Sequence, residues 1–126
     1  MTMEPTGKRV LVVDDNEHVR ELVKSALETV LVIEAFDEAE DGVEALERAR
    51  AHRPDLVILD LSMPNMDGLT AAKGLKRIMP EVPIVLFTMH NLGKDSAKTF
   101  GVDAVVSKPD GMQQLTASVQ SLLVLG

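Results

Sequence analysis

Cysteine, tyrosine and tryptophan are absent from this chain of 126 residues, and phenylalanine occurs only three times. Without cysteine there can be no disulfide framework, no thiolate nucleophile and no cysteine-ligated metal. That absence suits a reducing compartment, and we expect the protein to be cytoplasmic. Because aromatic rings are so few and methionine occurs 7 times, the hydrophobic core must be mainly aliphatic and methionine-rich.

Long apolar runs and clustered positive charge are also missing. The N-terminal MTMEPTGKR has no apolar segment of the kind that signal peptides carry, and no run approaches the ~20 residues of a membrane span. Thirteen Lys and Arg against 20 Asp and Glu give a net charge of −7, with no basic stripe. We therefore expect neither nucleic acid nor a membrane as a partner, because phosphate binding needs clustered positive charge.

Short apolar runs alternate with stretches of helical spacing along the whole chain. Turn residues bound the strand-like runs, and the helical stretches carry apolar residues three and four positions apart. The pattern predicts strands at residues 8–13, 36–39, 55–60, 82–88 and 103–107, and helices at 17–30, 43–52, 69–79, 91–100 and from Asp110 onward. Five such repeats are typical of an α/β domain with a parallel sheet.

The limits of the domain follow from the same pattern. We expect residues 1–7 to form a disordered lead and residues 8–125 to form a single domain with no output domain. The second strand has two possible starts, because Leu31–Ile33 also has strand character and neither glycine nor proline ends the first helix. We place this strand at Phe36–Ala39.

Polar side chains stand at the ends of four predicted strands. Asp14 and Asp15 follow VLVV, Asp60 follows LVIL, Thr88 ends the run beginning IVLF, and Lys108 follows AVVS. Taken singly, each has an ordinary explanation, such as capping of the next helix by the acid pair. Their coincidence at the carboxyl ends of parallel strands, where such sheets carry their chemistry, favours one shared site.

The chemistry of these residue types narrows the kind of site. Three carboxylates at one edge repel each other unless a cation offsets their charge. Mg²⁺ is a small, hard cation that prefers oxygen ligands and typically binds through one or two carboxylates. A carboxylate oxygen can then attack a phosphoryl group, whose oxygens a lysine and a threonine hydroxyl are suited to stabilise. The residues therefore predict a site for a divalent cation and a phosphoryl group.

The same residues resemble a known family. DD at 14–15, EAEDGVEAL at 38–46, Asp60 followed by SMPNMDG, FT at 87–88 and KP at 108–109 are similar to the receiver domain of two-component response regulators. The similarity runs from Lys8 to Leu123, and the length resembles the stand-alone members such as the chemotaxis regulator. The resemblance implies a flavodoxin-like (βα)5 fold with strand order 2-1-3-4-5, and a phosphorylatable switch in two-component or phosphorelay signalling.

The resemblance also implies how the acids act. Asp60 would be the phosphoacceptor, taking its phosphoryl group from a histidine kinase, a histidine phosphotransfer protein or a small donor. Asp15 and Asp60 would hold Mg²⁺ directly, together with the backbone carbonyl of Ser62. Asp14 would act on the metal through water.

Three further positions take roles from the same resemblance. Thr88 would move toward the phosphoryl oxygens and Lys108 would pair with them. The peptide bond between Lys108 and Pro109 is commonly cis in the family, and proline permits that isomer. These residues would assist only the domain's own phosphorylation and its own dephosphorylation, which is slow. We therefore do not expect an enzyme with turnover on a separate substrate.

Val105 departs from the family's pattern. The family often has tyrosine or phenylalanine three residues before the lysine, and that ring swings inward when the threonine moves. Valine is β-branched and stiff, so an aromatic switch is not expected at this position. The segment between Thr88 and Gly101 also looks short, and the glycine that usually ends the first helix is missing near Leu31.

Two other functions match parts of the sequence. A phosphohydrolase of the haloacid-dehalogenase type wants a second acid two residues after its nucleophile, and Ser62 stands there instead. A constitutive interaction module would keep the fold and signal without phosphorylation; Val105 motivates it, and the complete acid, threonine and lysine set counts against it. The sequence does not specify the downstream protein, and we expect a monomer or a weak dimer.

Overall fold

The computed structural model describes residues 7–89, 101–108 and 111–124, and within them there are five strands and four helices. The elements in chain order are β1 (Lys8–Val13), α1 (Glu17–Glu28), β2 (Ile33–Ala39), α2 (Gly42–Ala51), β3 (Leu56–Leu59), α3 (Gly68–Ile78), β4 (Ile84–Thr88), β5 (Ala104–Ser107) and α4 (Gly111–Val124). None of these described helices is both long enough and apolar enough to cross a membrane.

The strands form one parallel sheet in the order β2-β1-β3-β4-β5. Val10 on the central strand β1 pairs with Phe36 on one side and with Leu56 on the other. The expected flavodoxin-like α/β fold and its strand order are therefore confirmed. Between β1 and β3 the chain switches from one side of the sheet to the other, which is where ligands bind in open sheets of this kind.

Two aliphatic clusters cover the two faces of the sheet. Alternate residues of β1 feed them, since Leu11 and Val13 pack toward α2 and α3 while Val10 and Val12 pack toward α1 and α4. Strands buried on both faces appear in the sequence as continuous apolar runs, which is why β1, β3 and β4 could be predicted from it. Phe87 is the one aromatic residue fully buried in these clusters, so the aliphatic core is as expected for the residues described.

The predicted start of the second strand at Phe36 is wrong, because β2 begins at Ile33. The preceding helix ends without glycine. The Thr29 hydroxyl bonds to the carbonyl of Ala26 at 2.6 Å, and the amide of Leu31 closes the last turn on Leu27 at 2.9 Å. Helix α1 therefore ends at Glu28 rather than Val30, and three more residues become available to pair with β1.

Strands β3, β4 and β5 begin one or two residues later than predicted. Asp55 and Asp103 precede two of them, and their carboxylates accept the backbone N–H groups of Arg9 and Ile84, each at 2.8 Å. At each of these two positions, the aspartate carboxylate accepts the hydrogen bond that a backbone carbonyl would accept in a sheet, so the strand begins after the aspartate. Residues 1–6 of the predicted lead, the predicted helix 91–100 and the predicted cap Asp110 lie outside the described residues.

Candidate functional site

Four strands deliver the predicted polar residues to one edge of the sheet. Asp14 follows β1, Asp60 follows β3, Thr88 ends β4 and Lys108 follows β5. Asp14, Asp60 and Thr88 are buried, whereas Asp15 is exposed. The two buried acids stand on neighbouring strands beside the switch point of the sheet, so topology alone brings them together.

The three acids form a cluster with the spacing of a cation site. Asp14, Asp15 and Asp60 each offer one carboxylate oxygen, and these oxygens all lie within 4.8 Å of one another. An all-carboxylate set that is partly open to solvent fits Mg²⁺, which takes oxygen ligands and keeps several of its waters. The donor set does not suit softer metals, which favour sulfur or imidazole ligands.

Lys108 lies between the two buried acids. Its ammonium is 2.8 Å from Oδ2 of Asp14 and 3.4 Å from Oδ1 of Asp60, and 6.0 Å from the centre of the Phe87 ring. The lysine side chain is 15% exposed, so its positive charge is poorly screened by water and offsets part of the repulsion between the acids. The ammonium is also placed to meet any anion bonded to Asp60.

The surroundings of Asp60 make ionisation of its carboxyl group less favourable. Burial raises the pKa of Asp60, and the neighbouring charge of Asp14 raises it further. The charge and hydrogen bond of Lys108 and the backbone N–H of Ser62 act in the opposite direction but do not cancel the rise. A cation at the cluster would favour the ionised, nucleophilic form of this carboxyl group.

The turn between β1 and α1 fixes Asp14 by several contacts. Its amide donates to the carbonyl of Ala39 at 3.1 Å, and its Oδ1 accepts from the amide of Asn16 at 2.9 Å. The Asn16 side chain then caps α1 by accepting from the amide of Val19 at 3.2 Å. Asn16, and not the acid pair, therefore caps α1, and Asp15 remains exposed to solvent.

The loop after β3 is held by backbone contacts at its base and by a side-chain bond at its tip. The amide of Gly68 donates to the carbonyl of Leu61 at 2.7 Å. Asn65 has a left-handed backbone with φ of 68°, and its amide group donates to Asp41 at 2.8 Å. The backbone N–H of Glu44 lowers the pKa of Asp41 most, and the bond from Asn65 lowers it further. The tip of the loop is therefore bonded to the ionised N-cap residue of α2.

The remaining predicted residues lie around this core. Ser62 is exposed in the loop after β3. The role of its backbone carbonyl as a metal ligand stays a prediction. Thr88 is fully buried opposite Ser107. Val105 is half-buried on β5 and packs against the cluster beneath α2 and α3. Pro109 lies outside the described residues, and so does its peptide bond.

Sequence reasoning missed Arg20. This arginine is only 8% exposed, and its Nη1 donates to the backbone carbonyl of Asp14 at 2.7 Å. A signal was present in the sequence, because Arg20 stands three and seven positions before Val23 and Leu27 and so lies on the buried stripe of α1. A charged residue within an apolar stripe needs a buried partner.

A family model described as the response regulator receiver domain matches residues 10–120. Among curated proteins, a protein-glutamate methylesterase/protein-glutamine glutaminase from Archaeoglobus fulgidus is 42% identical over 122 residues, which cover 92% of this chain and 34% of that protein. Response regulator MprA from Mycobacterium sp. (strain KMS) is 34% identical, over 91% of this chain and 50% of that protein. The chain thus spans a third to a half of the length of these two relatives.

Solved structures are similar along nearly all of the chain. Response regulator protein TrrA from Thermotoga maritima, solved in complex with Mg(2+)-BeF, is 34% identical with a TM-score of 0.80, covering 91% of this chain and 98% of that one. A two-component response regulator of the LuxR family from Aurantimonas sp. is 28% identical with a TM-score of 0.86, covering 94% and 86%.

Proposed function

Because this chain belongs to the family of response regulator receiver domains, we propose that it is a phosphorylatable switch in two-component signalling, with Asp60 as its phosphoacceptor. The observation that carries the proposal is the position of Asp60. It is buried, its carboxylate lies within 4.8 Å of those of Asp14 and Asp15, and its Oδ1 lies 3.4 Å from the ammonium of Lys108. A nucleophile, a cation site and a fixed positive charge therefore meet at one carboxyl group.

The phosphoryl transfer is a displacement at phosphorus. A carboxylate oxygen of Asp60 forms the new bond to phosphorus, and the bond to the donor breaks with its electron pair leaving on the donor. A phosphohistidine releases imidazole in this way, and acetyl phosphate releases acetate. Asp15, Asp60 and the carbonyl of Ser62 would hold Mg²⁺, which would offset the negative charge of the acids and of the phosphoryl oxygens.

Lys108 and Thr88 respond to the new group. Lys108 already contacts Asp60, and the transferred oxygens offer its ammonium a stronger partner than Asp14 does. Thr88, buried at the end of β4, supplies a hydroxyl that can donate to the same oxygens. Phosphorylation thereby exchanges contacts at the ends of β4 and β5, and such an exchange can bias a two-state surface.

The partners follow from this chemistry. A histidine kinase or a histidine phosphotransfer protein supplies the phosphoryl group, and a downstream protein reads the switched surface in the cytoplasm. Neither nucleic acid nor a membrane is proposed as a partner of this acidic chain, and a monomer or a weak dimer is sufficient for the function. The methylesterase activity of the Archaeoglobus fulgidus relative is not proposed, because the match covers only 34% of that protein.

A constitutive interaction module is the second candidate, and Val105 is the observation that favours it. A half-buried valine stands where the family often has a swinging aromatic ring, so output through a rotamer change of that ring is excluded. Such a module would bind its partner equally well with and without phosphodonor. The phosphohydrolase alternative has no second acid at Ser62.

Intact-protein mass spectrometry tests the proposal. We expect incubation with acetyl phosphate or phosphoramidate and Mg²⁺ to add one phosphoryl group to the wild type, and to add none without Mg²⁺ or in Asp60→Asn. Asp55→Asn is the matched control, because it makes the same change at the other, exposed end of β3 and should be labelled normally. Full labelling of folded Asp60→Asn would refute the assignment, and no labelling of the wild type by either donor would favour the constitutive module.

A further inference from the structure

We propose that Arg20 is a positioning residue that holds the peptide unit between Asp14 and Asp15 and thereby sets the affinity of the acid cluster for a divalent cation. This inference rests on the proposed function, because it concerns the same metal site. Arg20 is not one of the acids, and it reaches the site only through the backbone. Its role is therefore separable from those of Asp60 and Lys108.

The guanidinium of Arg20 makes two bonds in different directions. Nη1 donates to the carbonyl oxygen of Asp14 at 2.7 Å, and Nε donates to Oε1 of Glu38 on β2 at 2.9 Å. Because the guanidinium is rigid and planar, fixing two of its nitrogens fixes the whole group. Arg20 is 8% exposed and its bond to Asp14 is buried, where hydrogen bonds are stronger than in water, whereas its bond to Glu38 is partly exposed.

Glu38 is itself held in place, which makes the arrangement a chain of contacts rather than a single bond. Its Oε2 accepts from the ammonium of Lys24 at 3.0 Å, and Lys24 also pairs with Glu21 at 2.7 Å. Partial burial alone would raise the pKa of Glu38, but Lys24 and Arg20 outweigh that effect and leave the pKa below its usual value. The anchor of Arg20 is therefore a charged carboxylate at neutral pH.

The carbonyl that Arg20 holds belongs to the peptide plane joining the two neighbouring acids. A peptide unit is planar, so rotating it changes ψ of Asp14 and φ of Asp15 together and redirects the side chain of Asp15. Asp14 is also fixed by Ala39, Asn16 and Lys108. Asp15 is exposed, so its direction depends mainly on the backbone that carries it.

Charge and geometry predict opposite effects of removing Arg20. A buried positive charge near a cation site repels Mg²⁺, so its loss alone would tighten binding. Glu38, however, lies 2.9 Å from the guanidinium, and its negative charge opposes that repulsion. We therefore expect geometry to dominate, as it does for outer-shell partners of metal ligands, whose loss weakens metal binding by about 10–100-fold.

Titration calorimetry of the full chain with MgCl₂ provides the test. We expect Arg20→Met to raise the Mg²⁺ dissociation constant about tenfold or more, and Arg20→Lys to raise it less, because lysine keeps the charge and loses the planar fork. Arg9→Met is the matched control, since Arg9 also links β1 to β2 through an ion pair, with Asp37 at 2.8 Å, and does not touch Asp14. Its dissociation constant should equal that of the wild type.

A second measurement needs no metal. In the metal-free protein, we expect the amide of Asn16, which donates to Oδ1 of Asp14 at 2.9 Å, to exchange hydrogen faster in Arg20→Lys and Arg20→Met than in the wild type and in Arg9→Met, because the Asp14–Asp15 peptide before it is released. An unchanged or tighter Mg²⁺ dissociation constant in folded Arg20→Lys would overturn the inference while leaving Asp60 phosphorylation in place. If Arg20→Met does not fold, Arg20→Lys decides the question. Absence of Mg²⁺ binding by the wild type would overturn the proposed function as well.

Discussion

A single buried carboxyl group concentrates the conflict between stability and chemistry in this protein. Asp60 is buried beside Asp14, and both burial and that neighbour raise the pKa of Asp60. A purely structural residue at the end of β3 would avoid this conflict. The proposed function accounts for it, because a nucleophile of this kind must be close to a cation and to Lys108 at the same time. The ionised carboxylate of Asp60 thus lowers the stability of the folded protein at the residue where the proposed chemistry occurs.

The substitution Asp60→Asn should stabilise the folded protein at neutral pH in the absence of Mg²⁺. Asparagine keeps the shape and the acceptor for the amide of Ser62, removes the repulsion with Asp14, and leaves Lys108 paired with Asp14. We expect the free energy of unfolding to rise by on the order of 1 kcal/mol. Chemical denaturation followed by far-ultraviolet circular dichroism measures it, since the chain has no tryptophan or tyrosine.

The gain should depend on pH with a defined sign. Because the pKa of Asp60 is raised in the folded state, the folded chain binds more protons than the unfolded one between the unfolded and folded pKa values. The stability that Asp60 contributes is therefore present in acid and is lost as the pH rises through the folded pKa. The advantage of Asp60→Asn should be small in acid and should grow toward neutral pH. An advantage that is constant across this range, or that shrinks with rising pH, would contradict the assignment of repulsion to Asp60.

The sequence predicted the elements and the strand ends best where burial left a continuous apolar run. Strands β1, β3 and β4 are such runs. The acids after β1 and β3, the threonine that ends β4 and the lysine after β5 lie at one edge of the sheet. Strand β2 was harder, because it lies at the edge and its side chains are mostly half-exposed. Its start depends on how α1 ends, and Thr29 ends that helix with a side-chain bond that apolar spacing does not reveal.

Arg20 escaped prediction for a different reason. Its partners are the carbonyl of Asp14 and the carboxylate of Glu38, 18 positions away in the sequence, so only the fold brings them together. Every residue has a backbone carbonyl, so the sequence does not show which carbonyl accepts a bond from a buried arginine. An arginine on a buried helical stripe indicates that a partner exists but not which one.

At the scale of elements, the loop between β3 and α3 is limited by the close approach of backbones at Gly68. A Cβ atom there would overlap the backbone oxygen of Asp60 and lie 2.7 Å from Cα of Leu61. Because these are backbone atoms of Asp60, the proposed phosphoacceptor, and of its neighbour Leu61, they cannot yield without moving Asp60. We expect Gly68→Ala to destabilise the protein by about 2 kcal/mol and to slow labelling of Asp60 by acetyl phosphate.

Gly74→Ala is the matched control in the same helix. A Cβ at Gly74 would lie 3.1 Å from Cδ2 of Leu46, a flexible side chain that can turn aside, and alanine favours the helix by up to ~1 kcal/mol over glycine. We expect stability within about 1 kcal/mol of the wild type and normal labelling. Denaturation midpoints and time courses of labelling compare the two variants. Equal behaviour of both would show that the base of the loop is softer than its contacts indicate.

At the scale of the whole molecule, the strand order assembles the site from distant parts of the chain. Lys108 and Asp14 are 94 positions apart in the sequence and 2.8 Å apart in space. The site therefore exists only in the folded protein, in a chain whose net charge of −7 already favours cations at its surface. A ligand that binds only the folded state stabilises it, so binding of Mg²⁺ at this site would be thermodynamically linked to folding.

Magnesium should accordingly stabilise the entire domain. At a concentration one hundred times its dissociation constant, a ligand specific for the folded state adds about 2.7 kcal/mol to the free energy of unfolding. We expect an increase of this size in the wild type on adding MgCl₂, reversed by EDTA, with NaCl of equal ionic strength as the control for general screening. Asp15→Asn should lose most of it, because this exposed acid completes the cluster. Asp55→Asn, which removes an acid from the opposite end of the sheet, should keep it. If NaCl reproduced the increase, or if Asp15→Asn retained it in full, Mg²⁺ would be acting on the overall negative charge, and the three carboxylates would not form a specific cation site.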